Sequence, residues 1–161
     1  MKDKPILEKR FNEGIDIDKR VREGSMLTRL FIEVQGNNKE LAEKALENTI
    51  FNAMANERDV DLLYVKFYDI RKDKDQEFFS GVVEVKLLTR DFRTLVRVVM
   101  RYGPTAIELI EPDKIAMKMD EMQSLLADAS EICQAYSSRL LALLKDEERR
   151  DLYQKILSSS Q

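Results

Sequence analysis

Phe78-Phe-Ser-Gly-Val-Val-Glu-Val-Lys-Leu-Leu88, then Asp91-Phe-Arg-Thr-Leu-Val-Arg-Val-Val-Met100, Gly103-Pro104 and Thr105-Ala-Ile-Glu-Leu-Ile110 decide the fold. The first run alternates: Gly81, Val83, Val85 and Leu87 form one row, and Val82, Glu84 and Lys86 the other, as in a strand. Glycine within a strand marks a bulge or a close backbone approach. Asp91 can cap a helix carrying Phe92, Leu95, Val96, Val99 and Met100. Gly103 supplies a left-handed stop, Pro104 breaks the helix, and 105–110 reads as a short strand.

Upstream the same order occurs. Leu27-Thr-Arg-Leu-Phe-Ile-Glu-Val34 places Leu30, Ile32 and Val34 on one strand face. After Gly36-Asn37-Asn38, the apolar residues Leu41, Ala45, Leu46, Thr49, Ile50, Ala53 and Met54 recur at helical spacing to about Asn56. Val60–Ile70 returns to period two, with Tyr64, Lys66 and Tyr68 in one row, and Arg71–Gln76 reads as a polar hairpin loop. Strand, helix, strand, strand, helix, strand predicts an α+β, ferredoxin-like βαββαβ sandwich over 26–111, with right-handed crossovers and both helices on one face.

Residues 112–161 form a helical extension, with a long helix expected from Pro112-Asp113. Met119, Met122, Leu126, Ala129, Cys133, Tyr136, Leu140 and Leu143 alternate three- and four-residue steps, a heptad seam of the coiled-coil kind. Leu125, Ile132, Leu141 and Leu144 widen it. Lys145–Asp151 interrupts, and Leu152, Tyr153, Ile156 and Leu157 begin a last helix. Too few apolar residues follow Ile110 for this helix to fold alone, so the seam predicts a homo-oligomer, most simply a dimer, with its interface a place for a small ligand. Residues 1–25 are a polar arm, read as mobile; Gly24-Ser25-Met26 resembles a cloning scar, so part of the arm is open to being a tag.

The chain has 161 residues, 27 basic and 30 acidic, no histidine and one cysteine. Without histidine the commonest general base, metal ligand and mild-acid sensor are missing. One cysteine excludes an internal disulfide or a cysteine-cluster zinc site. The near-balanced charge of −3 gives no global attraction to nucleic acid or anionic lipid. With no apolar run of spanning length and no signal-like leader, a cytoplasmic protein without membrane contact is expected.

The remaining chemistry is sparse. There is no glycine-rich phosphate loop, serine elbow or Walker lysine, so no catalytic residue, cofactor or metal is assigned and the chain reads as non-enzymatic. Asp69, Asp73, Asp75 and Glu77 alternate with Lys66, Arg71, Lys72 and Lys74, which neutralise them as a cation site. RNA-recognition modules share this strand order, but their stacking positions fall here on Ser80 and Val82. Tyr64, Tyr68 and Phe31 lie among Glu33, Glu84 and Lys66, so a covered face is the preferred reading, covered by the C-terminal helix or a second subunit. Cys133 reads as a small apolar seam residue. Arg90, Arg93, Arg97 and Arg101 line one side of the second helix with Asp91 the only acid among them. That row is the candidate contact for phosphate, an acidic partner or nucleic acid.

Val83-Glu-Val-Lys-Leu-Leu, Phe92-Arg-Thr-Leu-Val-Arg-Val-Val-Met, Gly103-Pro104, Ile107-Glu-Leu-Ile-Glu-Pro112, Asp113-Lys-Ile115 and Tyr136 resemble the C-terminal extension that follows WYL domains in bacterial transcription regulators. The resemblance covers 83–140. It implies a ferredoxin-like assembly or sensing module; with no winged helix or WYL segment in the chain, it does not carry DNA regulation with it. The whole chain also resembles small uncharacterised archaeal proteins. Together these readings predict an oligomerising regulatory or interaction module, with nucleic-acid binding through the arginine row as the alternative.

Overall fold

A computed structural model describes residues 4–72 and 78–158, apart from the side chain of Leu157. Asp73, Asp75 and Glu77 of the acidic hairpin, with Lys74, lie outside the described residues. So do Met1–Asp3. The chain divides into two compact units, Met1–Ala116 and Met117–Gln161.

The first unit is mixed α+β, built on an antiparallel sheet of six strands. In chain order its elements are β1 (Leu7–Arg10), α1 (Ile17–Arg22), β2 (Met26–Gly36), α2 (Lys39–Glu47), β3 (Val60–Phe67), β4 (Arg71–Lys72), β5 (Phe79–Thr89), α3 (Phe92–Tyr102) and β6 (Ala106–Glu111). The strands lie in the order β1-β3-β5-β2-β6, and β4 pairs with the start of β5. Period-two alternation fixes the register, because a one-residue slip would turn Val83, Val85 and Leu87 of β5 outward. Val83 and Val85 face Ile32 and Leu30 of β2, and Phe67 and Val65 of β3.

Both helices cap this row. Leu46 of α2 and Val98 of α3 join Leu30, Val65, Val83 and Leu87 in one buried cluster. Asn38 accepts from the Glu40 amide at 2.8 Å and Asp91 from the Thr94 amide at 2.7 Å, so both helices start on side-chain caps. Gly103 ends α3 in the left-handed conformation, φ 53°, which costs glycine no Cβ clash. Beyond Glu47 the helix widens into a π turn, Asn48–Ala53, then a 3₁₀ turn, Met54–Asn56. These turns keep Ile50 and Met54 in the core.

Gly81 is the close approach that its place in a strand predicts. A Cβ there would lie 2.7 Å from Cγ1 of Ile70 and 3.1 Å from Cδ1 of Leu46. Both side chains are buried. Gly81→Ala is therefore expected to lower unfolding free energy by about 1–3 kcal/mol, the usual cost of overpacking. Urea unfolding followed by circular dichroism measures it, and an unchanged midpoint would mean that Ile70 repacks freely.

The N-terminal arm differs from its expectation. Its residues Leu7–Arg10 pair antiparallel with Phe67–Tyr64 of β3, and Ile17–Arg22 form α1 on an Asp16 cap. The anchors are apolar and dispersed: Phe11 lies 6.1 Å from Phe51, which lies 5.6 Å from Phe67. Ser25 and Met26 are buried.

In the second unit α4 spans Met119–Leu143 and α5 spans Asp146–Ser158. The long helix begins seven residues after Pro112, where Glu121 reaches back to accept from the Lys118 amide at 2.7 Å and satisfies one free donor of the first turn. The interruption is shorter than expected, and Asp146, Glu147 and Glu148 fill the first turn of α5, where carboxylates favour the positive end of a helix.

Candidate functional site

The sheet face opposite α2 and α3 carries the polar side chains of β3, β5, β2 and β6. Tyr64, Lys86, Arg29 and Glu108 form one cross-strand row, and Lys66, Glu84, Phe31 and Ala106 the next. At its centre Glu84 is only 7% exposed. Tyr64 donates its hydroxyl to one carboxylate oxygen at 2.6 Å, and Tyr68 donates to the other at 2.7 Å. Nε of Arg29 lies 3.3 Å from the first oxygen and Nζ of Lys66 3.9 Å from it. Arg29 also pairs with Glu108 at 2.8 Å.

Burial alone would raise the Glu84 pKa. The two phenol donors and the charges of Lys66 and Arg29 outweigh it and hold the carboxyl below its usual range. Burial and the bonds to Glu84 push Tyr68 up to about 12 and raise Tyr64 as well. The cluster is thus a fixed anion held by neutral phenols and two cations. Its acceptor positions are occupied, so it is built to brace the sheet rather than to exchange protons.

The lower part of this face is covered by the arm. Leu27 and Leu88 are buried there. Arg20 reaches Asp61 at 3.0 Å, and the Phe11 amide donates to the Leu63 carbonyl at 2.9 Å. A groove of about 530 Å³ remains between the arm and the sheet, with Phe11, Ile15, Leu63, Tyr64, Lys66 and Lys86 among its walls. Lys86 is half-buried and makes no ion pair among the described residues. Glu8, Glu13 and Arg10 line the same groove, so its walls mix both signs of charge with apolar surface and select no one class of ligand. Sequence reasoning placed Tyr64, Tyr68 and Glu84 on one face. It missed their convergence on a single carboxylate, and it missed the arm.

Arg93, Arg97 and Arg101 lie on α3 and Arg90 just before its cap, and the row meets two acids, Glu57 and Asp59, that the sequence places far away. Arg90 pairs with Asp59 at 3.3 Å and Asp91 at 3.2 Å. Arg101 pairs with Glu57, which also accepts from the Tyr102 hydroxyl at 2.8 Å. Arg97 donates to the Arg58 carbonyl at 3.4 Å. Burial opposes ionisation of Glu57, but Tyr102, Arg101 and Arg97 together hold its pKa low. Arg93 follows on the same helix and is exposed.

Along α4 the seam runs on one exposed side. Met119, Met122, Leu126, Cys133, Tyr136, Leu140 and Leu143 are all exposed, and Ala129 is half-buried. Leu125, Ile132, Leu141 and Leu144, which widen the stripe, are half-buried. Among the described residues no cluster of acidic or cysteine side chains could hold a metal ion. No helix there is long and apolar enough to cross a membrane.

A family model, the MJ0538 family, matches residues 27–155. The uncharacterized protein MJ0538 of Methanocaldococcus jannaschii is 32% identical over 95 residues. That alignment covers 59% of this chain and 35% of the relative, so the match spans about a third of the relative's length. No solved structure matches the chain.

Proposed function

The chain belongs to the MJ0538 family, and from that premise we propose a non-enzymatic, self-associating regulatory or interaction module that joins a second copy through α4. One observation carries this reading. Met119, Leu126 and Leu143 are 78%, 71% and 80% exposed, on a helix whose apolar seam continues for more than three heptads. Moving each large apolar side chain from water into an interface is worth about 1.5–3 kcal/mol. The six large side chains of the seam are ample for a micromolar dimer. We infer in addition that the six-stranded sheet is a ferredoxin-like core with β1 and β4 added. The order β6-β2-β5-β3, with a helical crossover after β2 and another after β5, supports this. The likeness of 83–140 to the WYL extension rests on the same strand and helix order and adds no activity. Light scattering at micromolar concentration tests the assembly: twice the mass of one chain is expected, and a monomer overturns the reading.

The alternative, nucleic-acid binding through the arginine row, is weakened by Glu57, Asp59 and Asp91, which already partner Arg101 and Arg90. No mobility shift of RNA or DNA is expected at low salt. A salt-sensitive shift abolished by Arg93→Glu with Arg97→Glu would restore that reading.

A further inference from the structure

We propose that the two copies pair their α4 helices antiparallel, in a register centred on residue 131. The inference rests on the dimer reading above and specifies its geometry.

The charge along α4 is lopsided. Between Met119 and Glu131 every charged side chain is acidic: Asp120, Glu121, Asp128 and Glu131. Between Ile132 and Leu143 the single charge is Arg139; outside the helix Lys118 precedes it, and Lys145 is followed by Asp146, Glu147 and Glu148. A parallel pair sets the two acidic halves side by side, four carboxylates from each chain along about 18 Å of helix. Many of those separations fall within the screening length of about 8 Å at physiological salt. It also aligns the two helix dipoles, placing like ends together. Antiparallel pairing removes both, because each acidic half then lies along the half whose single charge is Arg139.

The seam itself allows that register. Antiparallel coiled helices oppose first-type to second-type core positions, so residues whose numbers sum to 262 meet. Met119 then faces Leu143 of the second copy, Met122 faces Leu140, Leu126 faces Tyr136, and Ala129 faces Cys133. Every seam residue finds a seam partner and none overhangs. Tyr136 meets a leucine rather than a second tyrosine. The two smallest residues, Ala129 and Cys133, occupy the centre together, where the backbones can approach to roughly 8 Å, the lower end of the usual interaxial range. Half-buried Ile132 borders this centre, near its own copy across the two-fold axis.

The register makes a chemical prediction, because the native chain has a single thiol on the seam. A disulfide needs Cα atoms no more than about 7 Å apart. In the antiparallel register position 129 sits directly across from Cys133 of the other copy, within that span. The two Cys133 residues lie four helical rises apart along the axis, about 6 Å, which added to the gap between helices exceeds it. In a parallel pair the relation inverts, and the two Cys133 residues face each other.

The test mixes two full-length chains, each with one thiol: the native protein and the double variant Ala129→Cys with Cys133→Ala. Each alone, and the equimolar mixture after exchange, is oxidised with glutathione disulfide and read by mass spectrometry under non-reducing conditions. Linked dimers joining one chain of each kind, at least fivefold above either self-linked dimer, are expected. Dominant self-linked native dimer would overturn the antiparallel register in favour of the parallel one. A dimer by light scattering that forms no linkage of either kind would overturn the register while leaving self-association standing. A monomer by light scattering would overturn the self-association on which the proposal rests. Circular dichroism of the double variant confirms that it is folded before its linkage is scored.

Discussion

Replacing Glu84 with alanine is expected to lower the unfolding free energy by about 3 kcal/mol. The carboxylate is the common acceptor for Tyr64 and Tyr68 and the partner of Arg29 and Lys66. Its removal leaves two half-buried phenol donors and an arginine with fewer partners. Breaking a buried pair from one side costs about 3–5 kcal/mol; the lower end applies because Arg29 keeps Glu108. The pH dependence separates this electrostatic role from plain packing. The folded pKa of Glu84 lies below its unfolded value. The stabilisation is therefore complete above the unfolded carboxyl pKa of about 4.3 and is lost as pH falls through the folded pKa. The gap between native protein and Glu84→Ala should be widest at pH 6–8 and should shrink below about pH 4. Urea midpoints across that range measure it, and a gap independent of pH would assign Glu84 to packing alone. At the alkaline end Tyr68 and Tyr102, both pushed up to about 12, favour the neutral phenol in the folded state. Their contribution is present below about pH 10 and is lost as pH rises towards 12.

The second large effect is on assembly. Leu126→Asp together with Leu140→Asp should convert a dimer into a monomer at micromolar concentration while the far-ultraviolet circular dichroism of the sheet unit is retained. Each chain of the pair loses two seam leucines, four in all. At about 1.5 kcal/mol or more each this is about 6 kcal/mol, some four powers of ten in Kd. The carboxylates add a desolvation cost. Light scattering and sedimentation read the result directly. An unchanged dimer would remove α4 from the interface.

What the sequence revealed, and what it concealed, follows from the range of the interactions involved. The strand carrying Val83, Val85 and Leu87, and the helix caps at Asn38 and Asp91, were legible because alternation and capping are local. Gly81 announced a close approach but not its neighbour, since Ile70 arrives through pairing of β3 and β5. Asp91 was visible among the arginines. Glu57 and Asp59 were not, being more than 30 residues away. The arm was the largest miss. Leu7-Glu-Lys-Arg10 lacks alternation, and its half-buried apolar residues Phe11, Ile15, Ile17 and Val21 are too dispersed to show a period. The Phe11–Phe51–Phe67 stack that fixes it exists only after folding. Tyr64 and Tyr68 were assigned to one face with Glu84, but a shared acceptor cannot be read from spacing.

The arm has one further consequence. Sheets end in open backbone edges that invite other strands to add, the usual route to fibrous aggregates. Here β1 forms one margin, four residues long, with Glu8, Lys9 and Arg10 exposed along it. At the other margin β6 carries Glu108 and Glu111 and runs into Pro112, which has no amide hydrogen to offer. The β1 rim is thus fenced by charge and brevity, while β6 sets its acids beside Ile107 and Leu109, both about half exposed. The short, charged margin at β1 therefore offers little purchase to an added strand.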